Sequence, residues 1–188
     1  MACAAQLPRA VAALVIAGVA PFEADGLDWL DGMGEDNLEE FAVTVQGEEP
    51  TRTYLLEQRD AMDDMTVEGA VVSLESLLPD VDKAVTSGGF GEDLVAGFAQ
   101  ALLVGVEGWL GDDLAFVEPW GFDLSGITVP TMLWQGSEDL MVPFAHGRWL
   151  ASQLPRATVH LEEGEGHLSI GLGAFDRMLD ELAAELDG

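Results

Sequence analysis

The sequence of 188 residues contains a single cysteine, Cys3. One cysteine excludes an internal disulfide and any metal site built on several thiolates, and the cytoplasm is then the expected compartment. Long apolar runs are also missing, because no stretch approaches the roughly 18 residues that a membrane helix needs. We therefore expect a cytoplasmic protein without a membrane span.

Basic residues are scarce: 7 Lys and Arg stand against 35 Asp and Glu, which gives a formal net charge of −28. Nucleic acid and anionic membranes repel such a protein, so neither is an expected partner. The apolar content of 48% distinguishes the chain from disordered acidic tails, which lack apolar residues to bury. The sequence thus predicts a folded acidic protein, and one Lys beside six Arg is compatible with a salt-adapted source.

The acidity is concentrated in residues 23–118, which hold 24 of the 35 acidic residues and 3 of the 7 basic ones. Apolar side chains in this segment recur at helical spacing, as at Leu94, Phe98 and Leu102. Gly and Pro interrupt the pattern often. We interpret the segment as several short helices with a heavily solvated acidic face.

An apolar run, Val11–Ala20, lies close to Met1 and has two interpretations. A secretory signal also combines positive charge with an apolar block, but here Arg9 is the only charge ahead of the run. The length of the run, its β-branched residues and its lack of polar alternation favour a strand covered on both faces. We predict an interior sheet strand.

The last third of the sequence alternates strand and helix patterns. Its predicted elements are the strands Thr131–Gln135 and Ala157–Leu161 and the helices Phe144–Gln153 and Phe175–Leu186. A helix between two strands implies that the strands are parallel. The predicted fold class is therefore α/β.

Two acid–base candidates follow the two strands of this region: Asp139 in "WQGSEDLMVP" and His167 in "EEGEGHLSI". Loops at the carboxyl ends of neighbouring parallel strands emerge side by side, where ligands and catalysis collect. A carboxylate there can orient an imidazole and stabilise its charged form while the other ring nitrogen acts as a base. The alternatives are an Asp that caps a helix and a His that is merely exposed.

The other two histidines have less suitable positions. His160 lies inside a predicted strand, where packing or a surface position is expected. His146 lies near a predicted helix start, close to the acid loop, where it either borders the site or serves the structure. Neither occupies the loop position that a base needs.

The stretch "VPTMLWQGSEDLMVPFAHGRWLASQLPRATVHLEEGEGHLSI" resembles the end of an α/β-hydrolase of the bacterial type with a helical cap. In that family a G-x-x-D turn supplies the triad acid and a Gly-His loop the triad base, matched here by Gly136 with Asp139 and Gly166 with His167. The resemblance implies three parallel strands with flanking helices plus a helical cap insertion. Residues 1–22 would be the end of the nucleophile helix and a sheet strand, 23–118 the cap, and 119–188 the core with the acid and base loops.

The family's nucleophile elbow, GxSxG, is not found in the sequence. The nearest match is Ser87 in "VTSGGFG", but Asp80, Asp82 and Lys83 precede it where a buried strand is required, and the resemblance places it in the cap. The resemblance implies that the nucleophile lies upstream of Met1. We therefore expect the C-terminal part of a hydrolase that acts on small apolar esters through a nucleophile–His–Asp triad, inactive as this chain alone and prone to aggregate.

A non-catalytic alternative stays open, in which the chain is an acidic module that binds an apolar ligand or a partner. Aromatic residues of the cap could line its pocket: Phe41, Tyr54, Phe90, Phe98 and Trp109. Neither function implies a metal or an organic cofactor, and the oligomeric state is not predicted.

Overall fold

A computed structural model describes residues 1–62 and 66–185. The chain starts with helix α1 (Ala2–Gln6) and strand β1 (Ala13–Ile16). A helical insertion follows, formed by α2 (Glu35–Thr44), α3 (Glu48–Ala61), α4 (Val67–Ser73), α5 (Asp80–Val85), α6 (Gly89–Ala101) and α7 (Glu107–Val117). The remaining elements are β2 (Thr131–Gly136), α8 (Phe144–Gln153), β3 (Ala157–Glu162), α9 (His167–Gly173) and α10 (Phe175–Ala184).

The three strands form one parallel sheet in the order β1-β2-β3. Thr131 of β2 is in register with Ala13 of β1 and with Ala157 of β3. Helix α8 makes the crossover from β2 to β3, and the helical insertion leads from β1 to β2. The predicted α/β class, with parallel strands and flanking helices, is confirmed.

Strand β2 is the centre of the molecule, and all six of its residues are buried. Because side chains alternate along a strand, Met132 and Trp134 pack with Ile170 of α9 on one face. Leu133 packs with Leu150 of α8 on the other face. Helices thus cover both faces, which is the usual environment of a parallel sheet.

Strand β1 is shorter and more exposed than the predicted interior strand Val11–Ala20. Its ladder starts at Ala13, which donates to the carbonyl of Pro130; proline has no N–H with which to extend the pairing. Its other end is set by Ala17, whose φ of 48° is left-handed. Within the described residues β1 pairs with β2 alone, and Ile16 is 37% exposed.

The helical insertion has apolar contacts of its own and a junction with the sheet. Leu55 of α3 packs against Val106, which precedes α7, and against Leu110 of α7. Trp29 and Phe41 form a second cluster, against which Val19 from the end of β1 packs. The predicted closing helix is described as far as Ala184, and Leu186 lies outside the described residues.

The elements in the described part of the chain are short. The longest helix, α3, has 14 residues, and none is both long and apolar enough to cross a bilayer.

Candidate functional site

Asp139 lies in the loop that follows β2, and its side chain is fully buried. Its Oδ1 atom accepts hydrogen bonds from the backbone N–H groups of Met141 (2.9 Å) and Val142 (2.8 Å). Its Oδ2 atom accepts one from Gln135 Nε2 at 2.9 Å. These donors satisfy both oxygens of the buried carboxylate. The acid loop therefore holds the Asp139 side chain in one position at the carboxyl end of β2.

His167 is the first residue of α9 and faces this carboxylate. Its Nδ1 atom lies 2.9 Å from Asp139 Oδ2, so the Nδ1–H group donates to the acid. The side chain is 28% exposed. With Nδ1 engaged, Nε2 is the ring nitrogen left to exchange a proton with another group. The two residues singled out in the sequence are thus brought together as an acid and the imidazole that it orients.

Two effects of opposite sign act on the pKa of His167. Burial lowers it, because the charged ring loses hydration, whereas the hydrogen bond and the charge of Asp139 raise it, with a smaller contribution from the charge of Asp82. The net effect raises the pKa of His167 above its usual 6.5. The pair therefore favours an imidazolium, which is the form that a base reaches after it takes a proton.

Gln135 supports the acid from inside β2. Its Nε2 atom donates to Asp139 and also to the carbonyl of Val142 at 2.7 Å. Gly147 of α8 leaves room for this side chain, since a Cβ at position 147 would lie 2.5 Å from the Cβ of Gln135. The Oε1 atom of Gln135 is buried and accepts no hydrogen bond from the described residues.

Asp82 is a site residue that the sequence did not reveal. It is 0% exposed, and its carboxylate accepts the backbone N–H groups of His167 (2.8 Å), Leu168 (3.1 Å) and Ser169 (2.8 Å). These N–H groups open helix α9 and have no partner inside the helix. A carboxylate of α5 therefore caps the helix that begins with His167, and it ties the helical insertion to the base loop.

Gly136 and Gly166, the glycines of the acid and base loops, allow other groups to approach the backbone closely. A Cβ at Gly166 would lie 2.4 Å from Oδ1 of Asp82, so a side chain there would displace the capping carboxylate. A Cβ at Gly136 would lie 2.2 Å from the carbonyl oxygen of Glu165. Both positions require glycine for space, since neither has a positive φ.

The other two histidines have structural contacts. His146 is 0% exposed; its Nδ1 accepts the N–H of Ala20 at 3.1 Å, and its Nε2 donates to the carbonyl of Trp29 at 2.9 Å. Burial lowers the pKa of His146. His160 stacks on Trp134 with ring centroids 3.8 Å apart and contacts Glu181 at 2.8 Å. Neither histidine is paired with Asp139.

Ser87 lies in the turn between α5 and α6, not at the end of a strand. Its hydroxyl donates to the carbonyl of Ala84 at 3.1 Å, as expected of a polar turn. Among the described residues, no three His, Cys, Asp or Glu side chains are grouped as a metal ion would require.

Two cavities lie between the acid loop and the helical insertion, with volumes of about 270 Å³ and about 560 Å³. Met141 of the acid loop lines both. Of the aromatic residues singled out in the sequence, Phe41 lines the smaller cavity, Tyr54 and Phe98 line the larger, and Trp109 lines both. Phe90 lines neither.

The parallel three-stranded sheet, its flanking helices and the helical insertion are consistent with part of an α/β-hydrolase-like fold. The chain is similar to the solved structure of olei00960, a hydrolase from Oleispira antarctica, with 17% sequence identity and a TM-score of 0.53. The alignment covers 96% of this chain and 58% of that one. At 17% identity, the similarity supports a shared fold only.

A second solved structure, Rv0554 from Mycobacterium tuberculosis, is also 17% identical, with a TM-score of 0.49 over 97% of this chain and 58% of that one. The chain thus spans 58% of the length of each of these two structures. No protein-family model and no curated protein matches the sequence.

Proposed function

We propose that this chain supplies the acid and the base of an α/β-hydrolase that transfers an acyl group from a small apolar ester to water. Asp139 is the acid and His167 the base. The nucleophile, an Ser or Asp side chain, comes from a polypeptide segment outside these 188 residues. The observation that carries the proposal is the 2.9 Å contact between His167 Nδ1 and the buried Asp139 carboxylate.

With a Ser nucleophile, the proposed reaction has two steps. In the first, His167 Nε2 takes the hydroxyl proton, the oxygen bonds to the acyl carbon, and the alcohol leaves with the proton from His167. In the second, His167 takes a proton from water and the water oxygen bonds to the acyl carbon; the bond from that carbon to the Ser oxygen breaks, His167 returns the proton to the Ser oxygen, and the carboxylic acid leaves. Asp139 holds the ring in the Nδ1–H tautomer and stabilises its positive charge in both steps.

The electrostatics of the site support these roles. The charge and hydrogen bond of Asp139 raise the pKa of His167 despite burial, which makes the imidazole a stronger base. The neighbouring cavities of about 270 Å³ and 560 Å³ provide room for a small apolar substrate on the side of the acid loop. The hydrolase from Oleispira antarctica has a similar fold.

The larger cavity also supports a second candidate, a module that binds an apolar ligand without catalysis. Leu74, Leu77 and Phe98 are among its lining residues. Such a module would bind apolar probes equally well whether or not His167 can accept a proton. The two candidates therefore differ in their dependence on His167.

The test uses the polypeptide that the gene encodes around these residues, at its full natural length, with p-nitrophenyl acetate and butyrate as substrates. We expect His167→Ala to reduce kcat by about 10³-fold or more and Asp139→Asn by at least about 10²-fold, because the residues of a triad act as a unit. His160→Gln is the matched control, since His160 contacts Glu181 and not Asp139, and it should keep most of the activity.

Turnover that survives His167→Ala in a folded variant would contradict the proposed role of the base. Hydrolysis that is absent at full length, together with binding of an apolar probe that His167→Ala leaves unchanged, would favour the binding module.

A further inference from the structure

A second pair of acidic residues lies in the helical insertion, where Asp113 of α7 is buried and Glu40 of α2 is half-buried. Both line the cavity of about 270 Å³, and each affects the pKa of the other. Trp109 Nε1 donates to Glu40 Oε1 at 2.8 Å. Two carboxyl groups that face one cavity repel each other when both are charged, so a proton or a cation is needed to offset the repulsion.

Asp113 is the unsatisfied member of this pair. It is 3% exposed, and its Oδ2 atom is buried and accepts no hydrogen bond from the described residues. A buried polar atom without a partner is costly and calls for an explanation, such as a bound group. Because Asp113 lines the cavity, a donor placed there could satisfy this oxygen.

Further acidic residues surround the pair. Asp36 and Glu39 of α2 and Asp112 of α7 act on the pair or on the neighbouring Tyr54 of α3. Burial, followed by the charge of Glu40, raises the pKa of Asp113 to about 8, and burial also raises the pKa of Glu40. Among the described residues that line the cavity there is no Lys, Arg or His.

Aromatic rings form much of the remaining wall: Trp29, Phe41, Trp109 and Phe116. Trp29 and Phe41 meet edge to face with centroids 4.7 Å apart, and Phe41 meets Phe116 at 6.1 Å. Aromatic faces attract organic cations, and the attraction is stronger where water is excluded. No group of three metal ligands occurs in the described part of the chain, so carboxyl groups and aromatic rings together favour an organic cation over a metal ion.

The cavity has room for more than the charged group. This cavity of about 270 Å³ adjoins the cavity of about 560 Å³. The two cavities share five lining residues: Asn37, Glu40, Trp109, Asp112 and Met141. The larger cavity can take an apolar extension of the ligand. The net charge of −28 would also raise the local concentration of cations.

We propose that this cavity binds a small primary alkylammonium ion, whose N–H groups donate to Glu40 and Asp113 and whose alkyl part packs against the aromatic rings. At neutral pH the ammonium ion replaces the proton that Asp113 holds, and that proton leaves to solvent. This binding goes beyond the proposed hydrolysis, because it needs neither a nucleophile nor His167.

The first test titrates the polypeptide of full natural length with n-butylammonium chloride and follows binding by calorimetry and by tryptophan fluorescence, to which Trp29 and Trp109 of the cavity wall contribute. We expect saturable binding that is at least about tenfold tighter than that of 1-butanol, its neutral analogue. Asp113→Asn should weaken the binding about tenfold or more. Glu118→Gln makes the same carboxyl-to-amide change at an exposed position next to α7 and should leave the binding almost unchanged.

The second test uses the pH dependence of the unchanged chain. Butylammonium keeps its charge up to about pH 9, since alkylammonium groups titrate near pH 10.4. Its affinity should rise from pH 6 to pH 8 by up to about tenfold per unit as the proton that it must displace becomes easier to remove. In Asp113→Asn this rise should largely disappear.

Equal affinity for butylammonium and 1-butanol would overturn the proposal, and so would an affinity that is the same at pH 6 and pH 8. Should Asp113→Asn fail to fold, these two comparisons on the unchanged chain still decide the matter. If butylammonium binding fails these tests, the proposed hydrolysis is unaffected, because the ester assay of the His167 variants tests it separately.

Discussion

Two buried aspartates, Asp139 in the acid loop and Asp113 in α7, are each 3% exposed, yet their surroundings differ. Asp139 accepts hydrogen bonds from two backbone N–H groups, from Gln135 and from His167. Asp113 faces a second carboxyl group, and its Oδ2 atom has no donor among the described residues. One region of the molecule therefore stabilises a negative charge, whereas the other penalises it.

The backbone around each aspartate explains the difference. Asp139 lies in a loop, where backbone N–H groups are free to turn towards a side chain. Asp113 lies inside α7, where the N–H groups are used by the helix itself. Asp82 also belongs to a helix, but it faces the first turn of α9, whose N–H groups have no helical partner. What distinguishes these buried carboxyl groups is thus the number of free donors around them, not burial alone.

The largest effect is expected for Asp82→Ala. The change leaves the N–H groups of His167, Leu168 and Ser169 buried without an acceptor, so the free energy of unfolding should fall by about 3 kcal/mol. Urea denaturation measures it. Asp80→Ala is the control, because Asp80 lies in the first turn of the same helix but is exposed. Equal losses in the two variants would contradict the capping role.

Gly166→Ala is expected to have the next largest effect. The new methyl group would approach the Asp82 carboxylate to 2.4 Å, and relieving this overlap should cost about 2 kcal/mol. Thermal denaturation checks the loss. Gly173→Ala, at the other end of α9, places its methyl group in ordinary contact with Glu165 at 3.8 Å. If the Gly166→Ala protein were as stable as the Gly173→Ala protein, the Asp82 carboxylate would not need the space that Gly166 leaves.

Asp113→Asn should have a smaller effect, of opposite sign. Because burial raises the pKa of Asp113 to about 8, the folded protein holds a proton that the unfolded chain loses near pH 4. The stability of the unchanged protein should therefore decline as the pH rises from 4 to 8. Asp113→Asn removes this decline, so it should gain about 1 kcal/mol relative to the unchanged protein as the pH rises from 6 to 7.

Chemical denaturation at the two pH values measures this gain, with Glu118→Gln as the exposed control. A decline that persists in Asp113→Asn would mean that another group causes it.

The sequence predicted the strands β2 and β3 to within one residue and helix α8 with the observed bounds, because each has a clear apolar pattern between Pro or Gly residues. Asp139 and His167 could be found because each follows a strand, and parallel strands end at the same edge of the sheet. These features depend on local patterns and on one rule of topology.

The features that the sequence missed depend on contacts between distant segments. Asp82 is 85 residues from His167, and nothing near it in sequence distinguishes a capping carboxylate from a solvated one. The pairing of Glu40 with Asp113 likewise requires α2 and α7 to be adjacent. The ends of β1 depend on Pro130, which precedes β2, and on the left-handed Ala17, whereas the apolar run itself continues to Ala20.

The central claim is that the Asp139 carboxylate positions and charges the imidazole of His167, and an NMR titration of the His167 ring tests it most directly. We expect a pKa above 6.5 and, at high pH, the Nδ1–H tautomer. In Asp139→Asn the pKa should fall by about one to two units, while Glu138→Gln, an exposed neighbour, should leave it unchanged. A His167 pKa at or below 6.5 that does not respond to Asp139→Asn would contradict the account.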